Sequence, residues 1–389
     1  MNKREYADIV VVGGGAIGTA VTCYLARSGM DVALVERGEV PWGSSKRCDG
    51  HAVTYDSPPG YFSRFCKMGL DLFPTVIPEL PCDIQFEPEG IGLLVDDEKD
   101  LDTLQQTLEG KRSEGMHVEL WDQDELRRRE PHVAPDIVAC LNFWGDAKLN
   151  PMRLAFGLSQ LAAAHGAHIY THTLARAVLK DKEAVCGVET DTGVLRCRRV
   201  VLCAGVWTPV IAHTAGVDVP IRPRQGHILV TERVRGLVGK NYAEFGYLAA
   251  KGGQKRSGVS REMEQFGVAM VLEPTSDGTV LCGSSRRFAG MDMTPHPAVM
   301  RAQAQRILHF FPKFSDVRLI RAYAGLRPAT PDGKPIISPT GVEGLYVAAG
   351  HEGNGIGLSL VTGHVVAQML KGETPDFDLD HFRLDRFYQ

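Results

Sequence analysis

The stretch from Asp8 to Glu36, DIVVVGGGAIGTAVTCYLARSGMDVALVE, constrains this chain more than any other. The apolar run Ile9 to Val12 reads as a buried parallel strand. It runs into Gly13-Gly14-Gly15-Ala16-Ile17-Gly18, which carries G-x-G-x-x-G spacing at Gly13, Gly15 and Gly18. Helical spacing follows at Ala20, Val21, Tyr24 and Leu25, Ser28-Gly29 stops it, and a second strand, Val32 to Val35, ends on Glu36. Gly13 permits the tight turn, Gly15 lets backbone approach a pyrophosphate, and Gly18 lets the helix pack close to the sheet. The helix N-terminus offers free N–H groups and a positive dipole end to phosphate. Glu36 stands where an acid accepts hydrogen bonds from a ribose 2′-OH and repels a 2′-phosphate. FAD or NAD is therefore favoured over NADP.

The remaining bulk properties exclude more than they assign. A chain of 389 residues has room for two or three domains and a large core. Its net charge of −4 gives no electrostatic case for nucleic acid. No apolar run approaches the ~18 residues of a membrane span. The opening MNKREYADIV enters the first strand without an apolar signal region, and a cytoplasmic protein is expected. The nine cysteines are scattered, odd in number and without C-x-x-C, the usage of a reducing compartment. The thirteen histidines show no metal-ligand spacing, and no metal is assigned.

Further along, Arg37 to Gly50 is a small, polar, glycine-flanked loop. Its Ser44 and Ser45 are either pyrophosphate donors or ordinary surface residues. Residues 61–80 read as one helix, 83–95 as paired strands, 98–114 and 122–129 as helices, and Pro151 opens a helix to about His165. Strand patterns follow at 167–171, 175–180, 184–190 and 194–197. Arg199 to Trp207 reads as a late strand of the nucleotide sheet entering a glycine turn, so the chain leaves that sheet and returns to it. Residues 220–290 are mostly strand-like. Within them the basic stretch 250–265 reads as a solvated loop, or alternatively as a lid or partner-docking loop. A helix spans 297–311. Arg321 to Ile337, dense in Gly and Pro, reads as turn and loop. The strand Gly344 to Ala349 precedes a second glycine-rich junction, Gly350 to Gly357, and a last helix, Leu358 to Leu370. Helix N–H groups at that junction are placed to stabilise negative charge on a ring system.

Four stretches together carry a resemblance. They are the N-terminal fingerprint with Glu36, Cys203-Ala204-Gly205-Val206-Trp207, Gly325-Leu326-Arg327-Pro328-Ala329-Thr330-Pro331-Asp332, and Gly350 to Gly357. The chain resembles the FAD-dependent D-amino-acid oxidase superfamily, which includes glycine and sarcosine oxidases. Within it, the chain looks most like the β subunits of heteromeric opine, hydroxyproline and proline dehydrogenases. Gly283 to Phe288 and Gly350 to Ile356 carry that finer likeness. The resemblance implies an α/β fold: a Rossmann-like FAD-binding domain of residues 1–80, 145–220 and 325–389. Interleaved with it would be a strand-rich α+β substrate domain of residues 81–144 and 221–324.

The resemblance also implies noncovalent FAD in an extended pose. Adenosine would lie against Gly13, Gly15, Ala16, Ile17, Gly18, Glu36 and Arg37, with Val178 holding the adenine through its backbone. Pyrophosphate would lie near Ser44 and Ser45. The isoalloxazine would lie near Arg47, Cys48, Asp49 and Gly50 and near Gly350, Gly353, Asn354, Gly355 and Ile356. Ala204, Gly205, Trp207 and Gly325 complete the cofactor set. Arg327 matches the arginine that clamps a substrate carboxylate, with His351 and Glu352 beside it. The stretch before Arg327 lacks the cysteine that links flavin in monomeric sarcosine oxidases. The places of glycine oxidase's second arginine hold Glu352 and Gly353, which puts a two-arginine clamp in doubt and favours a larger substrate, held in part by Glu352 or by Tyr242 and Tyr247. In heteromeric relatives an FMN can sit at a subunit interface near the segment matching Gly145–Asn150, and Leu149 would leave such an FMN noncovalent.

The expected chemistry is oxidation of a C–N bond of an amino acid or secondary amine. Three settings compete: a catalytic subunit that passes electrons to partner subunits, a stand-alone oxidase that makes peroxide, and a non-catalytic flavoprotein subunit.

Overall fold

The computed structural model describes residues 5–251, 256 and 258–388. Strand β1 (Ile9–Val12), helix α1 (Ala16–Arg27) and strand β2 (Val32–Val35) form the opening unit. Every residue of both strands is buried, which suits a parallel sheet covered on both faces. Six strands make this sheet, in the order Ile336–Pro339, Leu345–Ala349, Arg199–Leu202, β1, β2, His168–Tyr170. The pairings are parallel except at the edge, where Ile336–Pro339 runs against Leu345–Ala349. Arg199–Leu202 pairs with β1 in register, Val10 opposite Val200. The chain therefore does return to the sheet it left.

One face of the sheet is covered by α1, the helix Pro151–Ala164 and helix α2 (Ser359–Lys371). The other carries a second apolar layer with a three-stranded antiparallel sheet, Gly193–Arg196, Ala184–Thr190 and Ala175–Asp181. A two-stranded sheet, His51–Ala52 with Ala147–Lys148, and an eight-stranded mixed sheet form the rest. At one edge lies β4 (Leu319–Ala329), paired antiparallel along ten residue pairs with β3 (Arg222–Thr231). Then come Val280–Gly283, Val271–Pro274, Asn241–Glu244, Ile91–Val95, Ala139–Phe143 and Val118–Asp122. The helix Pro297–Phe310 packs against this sheet through Ile307 and Phe310.

Three expectations fail, each for a local reason. Residues 321–337 are not turn and loop, because Leu319–Ala329 is an eleven-residue strand. It is an edge strand, where Pro328 removes no ladder bond from an outer neighbour. Residues 83–95 hold one strand, Ile91–Val95, rather than a pair. Gln85 sits at φ 56° and Pro88 and Gly90 interrupt the first half. The single helix over 61–80 is broken into Tyr61–Asp71 and Phe73–Val76, because Pro74 has no N–H to continue the ladder. The 250–265 expectation falls partly outside the described residues; Arg261–Gln265 is a short helix.

Helices α1 and α2 touch closely at one point. A Cβ on Gly363 would lie 2.8 Å from the Ala20 carbonyl atoms and 2.8 Å from the Tyr24 ring. We expect Gly363→Val to destabilise the protein by about 1–3 kcal/mol, the usual cost of overpacking. Urea denaturation checks this, and an unchanged midpoint would refute the close approach.

Candidate functional site

Strand β1 delivers the glycine turn to the carboxyl edge of the six-stranded sheet, where open α/β sheets place ligands. Gly13 there has φ +110°, and a Cβ on it would lie 2.6 Å from the Cys203 carbonyl oxygen. A Cβ on Gly18 would lie 1.8 Å from the Gly13 oxygen. These two glycines thus set the turn and the helix approach. A Cβ on Gly15 would lie 3.3 Å from Ser45 Oγ.

A cavity of about 440 Å³ runs from this turn across the sheet edge. At one end lie Glu36, Arg37, Leu174, Arg176 and Trp207; in the middle Gly13, Gly15, Ala16, Ile17, Ser44, Ser45, Ala204 and Gly205. At the other end lie Arg47, Cys48, Asp49, Gly325, Arg327, and Gly350, His351, Glu352, Gly353, Gly355 and Ile356. Residues far apart in sequence thus share one cleft. The Glu36 carboxylate accepts from Gly14 N at 2.7 Å and Gly38 N at 2.9 Å, which fixes its orientation. The Arg37 guanidinium stacks 3.8 Å over the Trp207 ring. Ser45 Oγ accepts from Ala16 N at 3.0 Å, and Ser44 Oγ donates to the Leu326 carbonyl at 2.5 Å. Both serines tie the loop to the cleft.

Four of the expected cofactor residues lie off the cavity wall. Gly18 packs beneath it. Gly50 sits behind it, its N–H donated to the Glu273 carboxylate at 2.9 Å. Asn354 donates to Asp56 Oδ1 at 2.6 Å and so braces the loop from within. Val178 is buried, and its N–H is already donated to Thr214 Oγ1 at 3.0 Å. Leu174, Ala175 and Arg176, just before it, line the cleft instead. Tyr242 is also elsewhere, packed in the core against Phe311 at 5.8 Å. Tyr247 lies near the cleft, 5.9 Å from the Tyr55 ring and under the Arg286 guanidinium at 4.3 Å.

Arg327, on β4, lies across the backbone of Gly226 on β3. A Cβ at Gly226 would lie 2.1 Å from Arg327 Nη1, so only glycine leaves room for this pose. Arg327 Nη1 donates to the Ser285 carbonyl at 2.9 Å. Burial works against its charge, but the neighbouring Glu352 carboxylate, with Tyr247 and Asp49, holds it protonated above the ordinary arginine range. Glu352 has a left-handed backbone, φ 50°, rare for a residue with a side chain. Its Oε1 lies 2.8 Å from Arg224 Nη2, and its Oε2 accepts from Gly353 N at 2.5 Å. Sequence reasoning missed Arg224 and Gly226, whose strand shows no motif, and gave Arg286, inside the Gly283 to Phe288 stretch, no site role.

His351 is fully enclosed, its Nε2 3.0 Å from Thr362 Oγ1, and burial drops its pKa to about 3. It is a neutral imidazole at physiological pH. The Cys48 thiol is pushed up by burial and by Asp49, and stays protonated. Behind the cleft, Asp49, His51 and Glu273 place ligand-type atoms within 4.8 Å of one another. His51 and Glu273 come from distant segments, so no spacing pattern foretold this group. Burial and Asp49 push Glu273 up, while His51, 3.1 Å away, pulls it down.

Comparison with known proteins fits this cleft. The family described as DAO, FAD dependent oxidoreductase, matches residues 8–369. The Hydrogen cyanide synthase subunit HcnC of Pseudomonas protegens is 28% identical, covering 98% of this chain and 97% of its own. The glycine oxidase of Bacillus subtilis is 26% identical, covering 99% and 98%. Among solved structures, L-proline dehydrogenase from P. horikoshii superposes with a TM-score of 0.88 at 23% identity, covering 99% of both chains. Glycine oxidase from Geobacillus kaustophilus gives 0.87 at 24%, covering 98% of this chain and 99% of that one.

The burial of His351 predicts a pH signature. Its folded pKa of about 3 lies below the ~6.5 of an unfolded histidine. As pH falls below ~6.5, the unfolded chain takes up this proton first, so stability is lost on acidification. Relative to His351→Gln, the wild type should lose about 1 kcal/mol per pH unit between pH 6 and 4. Parallel stability curves in urea titrations across that range would show that His351 is not shielded.

Proposed function

The chain belongs to the DAO family of FAD-dependent oxidoreductases, and from that premise we propose that it oxidises the C–N bond of an amino acid or secondary amine. The observation that carries this reading is the placing of Arg327. It faces the same cleft as the glycine turn and the Gly350–Ile356 loop, held over Gly226. The cleft suits FAD: it is extended, its glycine cradle leaves space that a Cβ would fill at Gly15, and Glu36 is oriented at the ribose end. Gly13–Ile17 with Ser44 and Ser45 would hold the pyrophosphate, Arg37 and Trp207 the adenosine end, and Arg47–Asp49 with Gly350–Ile356 the ring system. We assign the FAD-binding domain to residues 1–80, 145–220 and 325–389 and the substrate domain to the rest, with β4 crossing the boundary at 325.

Bound FAD would accept a hydride from the substrate carbon next to nitrogen. The protein's part is orientation. The Arg327 guanidinium pairs with the substrate carboxylate and fixes the carbon that loses hydrogen. Glu352 keeps Arg327 charged. Neutral His351 offers shape and a hydrogen-bond atom but no proton switch. The buried wall of the cleft excludes water, so the imine product is hydrolysed after release.

We read the protein as the catalytic subunit of a dehydrogenase complex in the cytoplasm. HcnC, a relative along its whole length, is by name a subunit, and the nine cysteines here are all free thiols. A stand-alone, peroxide-forming oxidase is the second reading, favoured by the glycine oxidases among the relatives. The intact Arg327 site speaks against a non-catalytic subunit. No helix among the described residues is long and apolar enough to cross a membrane. The idea of an additional FMN draws no support from the comparisons.

Anaerobic bleaching of the bound flavin by glycine, sarcosine, D- and L-proline, hydroxyprolines and opines tests the reaction. Bleaching with slow recovery in air supports the complex, rapid recovery with peroxide the oxidase, and no bleaching by any amine overturns both. Arg327→Lys, which gives up the planar fork, should lower kcat/KM about 100-fold, or roughly 2.7 kcal/mol. Unchanged kcat/KM would remove Arg327 from the substrate site.

A further inference from the structure

Arg327 lines the substrate end of the cleft, and beside it stands more positive charge than one carboxylate needs. Arg224 on β3 stands directly opposite Arg327 on β4 in the antiparallel register. Like charges so placed repel across a ladder, and here both are largely buried, Arg224 with a side-chain exposure of 14%. A third guanidinium, Arg286, joins them. It follows the strand Val280–Gly283, and the adjacent Arg287 bridges to Gln225, next to Arg224. Arg286 is 7% exposed. Among the described residues, Glu352 is the one carboxylate that ion-pairs with any of the three, through Arg224. Glu244, another buried acid of the same sheet, is already engaged by Arg256 and Arg306. Among the described residues, these three cations thus have one ion-paired carboxylate between them.

The vacancy in bonding is specific. Arg286 Nη1 reaches Ser284 Oγ at 3.3 Å, and its plane lies over the Tyr247 ring at 4.3 Å. Its Nε and Nη2 have no acceptor. Those two N–H groups are parallel, the edge of a guanidinium that grips a carboxylate with two bonds. Buried donors without acceptors are rare in folded proteins, and their cost is relieved by a ligand that supplies the acceptors. Arg224 Nε is unpaired as well.

We propose that the substrate is an amino dicarboxylate, with one carboxylate on Arg327 and the second on the unpaired, buried Nε–Nη2 edge of Arg286, Tyr247 and Arg224 flanking it. This deepens the amine-oxidation reading and rests on it for the chemistry, though not for the binding. Two kinds of molecule share the chemistry: a secondary amine whose two nitrogen substituents each end in a carboxylate, and a primary amino acid with an acidic side chain.

The test uses the whole FAD-loaded protein. Binding is read first, from the flavin's visible spectrum, with two thioethers that have no amine to oxidise: thiodiacetate and methylthioacetate. Thiodiacetate is expected to bind at least 30-fold more tightly, and Arg286→Met should bring the ratio near one. Equal affinities in the wild type would overturn the proposal without any variant. Arg286→Lys, which keeps the charge but not the fork, should recover a minor part of the ratio; full recovery would overturn the two-bond grip. Anaerobic bleaching is read second, with iminodiacetate and N-(1-carboxyethyl)alanine against aspartate and glutamate, and sarcosine and N-methylalanine as one-carboxylate controls. Faster bleaching by the first pair assigns the secondary amine, by the second pair the primary one. Controls as fast as either pair would overturn the proposal and leave amine oxidation standing. Tight thiodiacetate binding with no bleaching by any amine would leave the dicarboxylate site standing and sink the amine reading.

Discussion

Everything at the cleft depends on the parallel pairing of Ile9–Val12 with Arg199–Leu202. It joins segments almost 190 residues apart and brings the end of each strand to the same edge. Gly13 then touches the Cys203 carbonyl, and Ala204 to Trp207 form the wall facing the glycine turn. The next strand outward, Leu345–Ala349, delivers Gly350 to Ile356 to that edge by the same geometry. A parallel sheet ends all its strands on one side, so residues with no contact in sequence arrive together there.

The second sheet contributes differently. β3 and β4 pair antiparallel, and their facing residues form a floor rather than an edge. Arg327 and Gly226 belong to this floor, with Arg224 opposite Arg327 in register, and the glycine is what lets the guanidinium lie flat. The charges are paired unevenly in surroundings that exclude water. Such surroundings also keep His351 neutral and the Cys48 thiol protonated. One burial thus makes the site strongly electropositive toward carboxylates and inert in proton exchange.

Much of this was legible beforehand, and the limits have physical causes. The opening unit was readable because strand, glycine turn, helix and terminal acid constrain one another within thirty residues. Cys203 to Trp207, Arg327 and Gly350 to Ile356 could be placed by their motifs, and each of these stretches contributes residues to the cleft wall. Arg224 and Arg286 could not: an arginine in a strand, such as Arg224, becomes a site residue only through its cross-strand partner, register is not written in local spacing, and Arg286 follows its strand in a stretch without regular structure. Val178 lies off the cavity wall with its N–H taken, since nothing in sequence tells which N–H a distant threonine will take. The strand Leu319–Ala329 was hidden by its own Gly and Pro, which report local preference and not the edge position that tolerates them.

The left-handed backbone at Glu352 has one more consequence. A side chain there meets steric resistance that asparagine or glycine would feel less, yet it is the carboxylate that reaches Arg224. Local comfort and electrostatic need point to different residues at this position. Drift toward the more relaxed residue would leave the loop's path intact and remove the carboxylate that pairs with Arg224. The position is therefore a dial for the cleft's net charge, set independently of its shape.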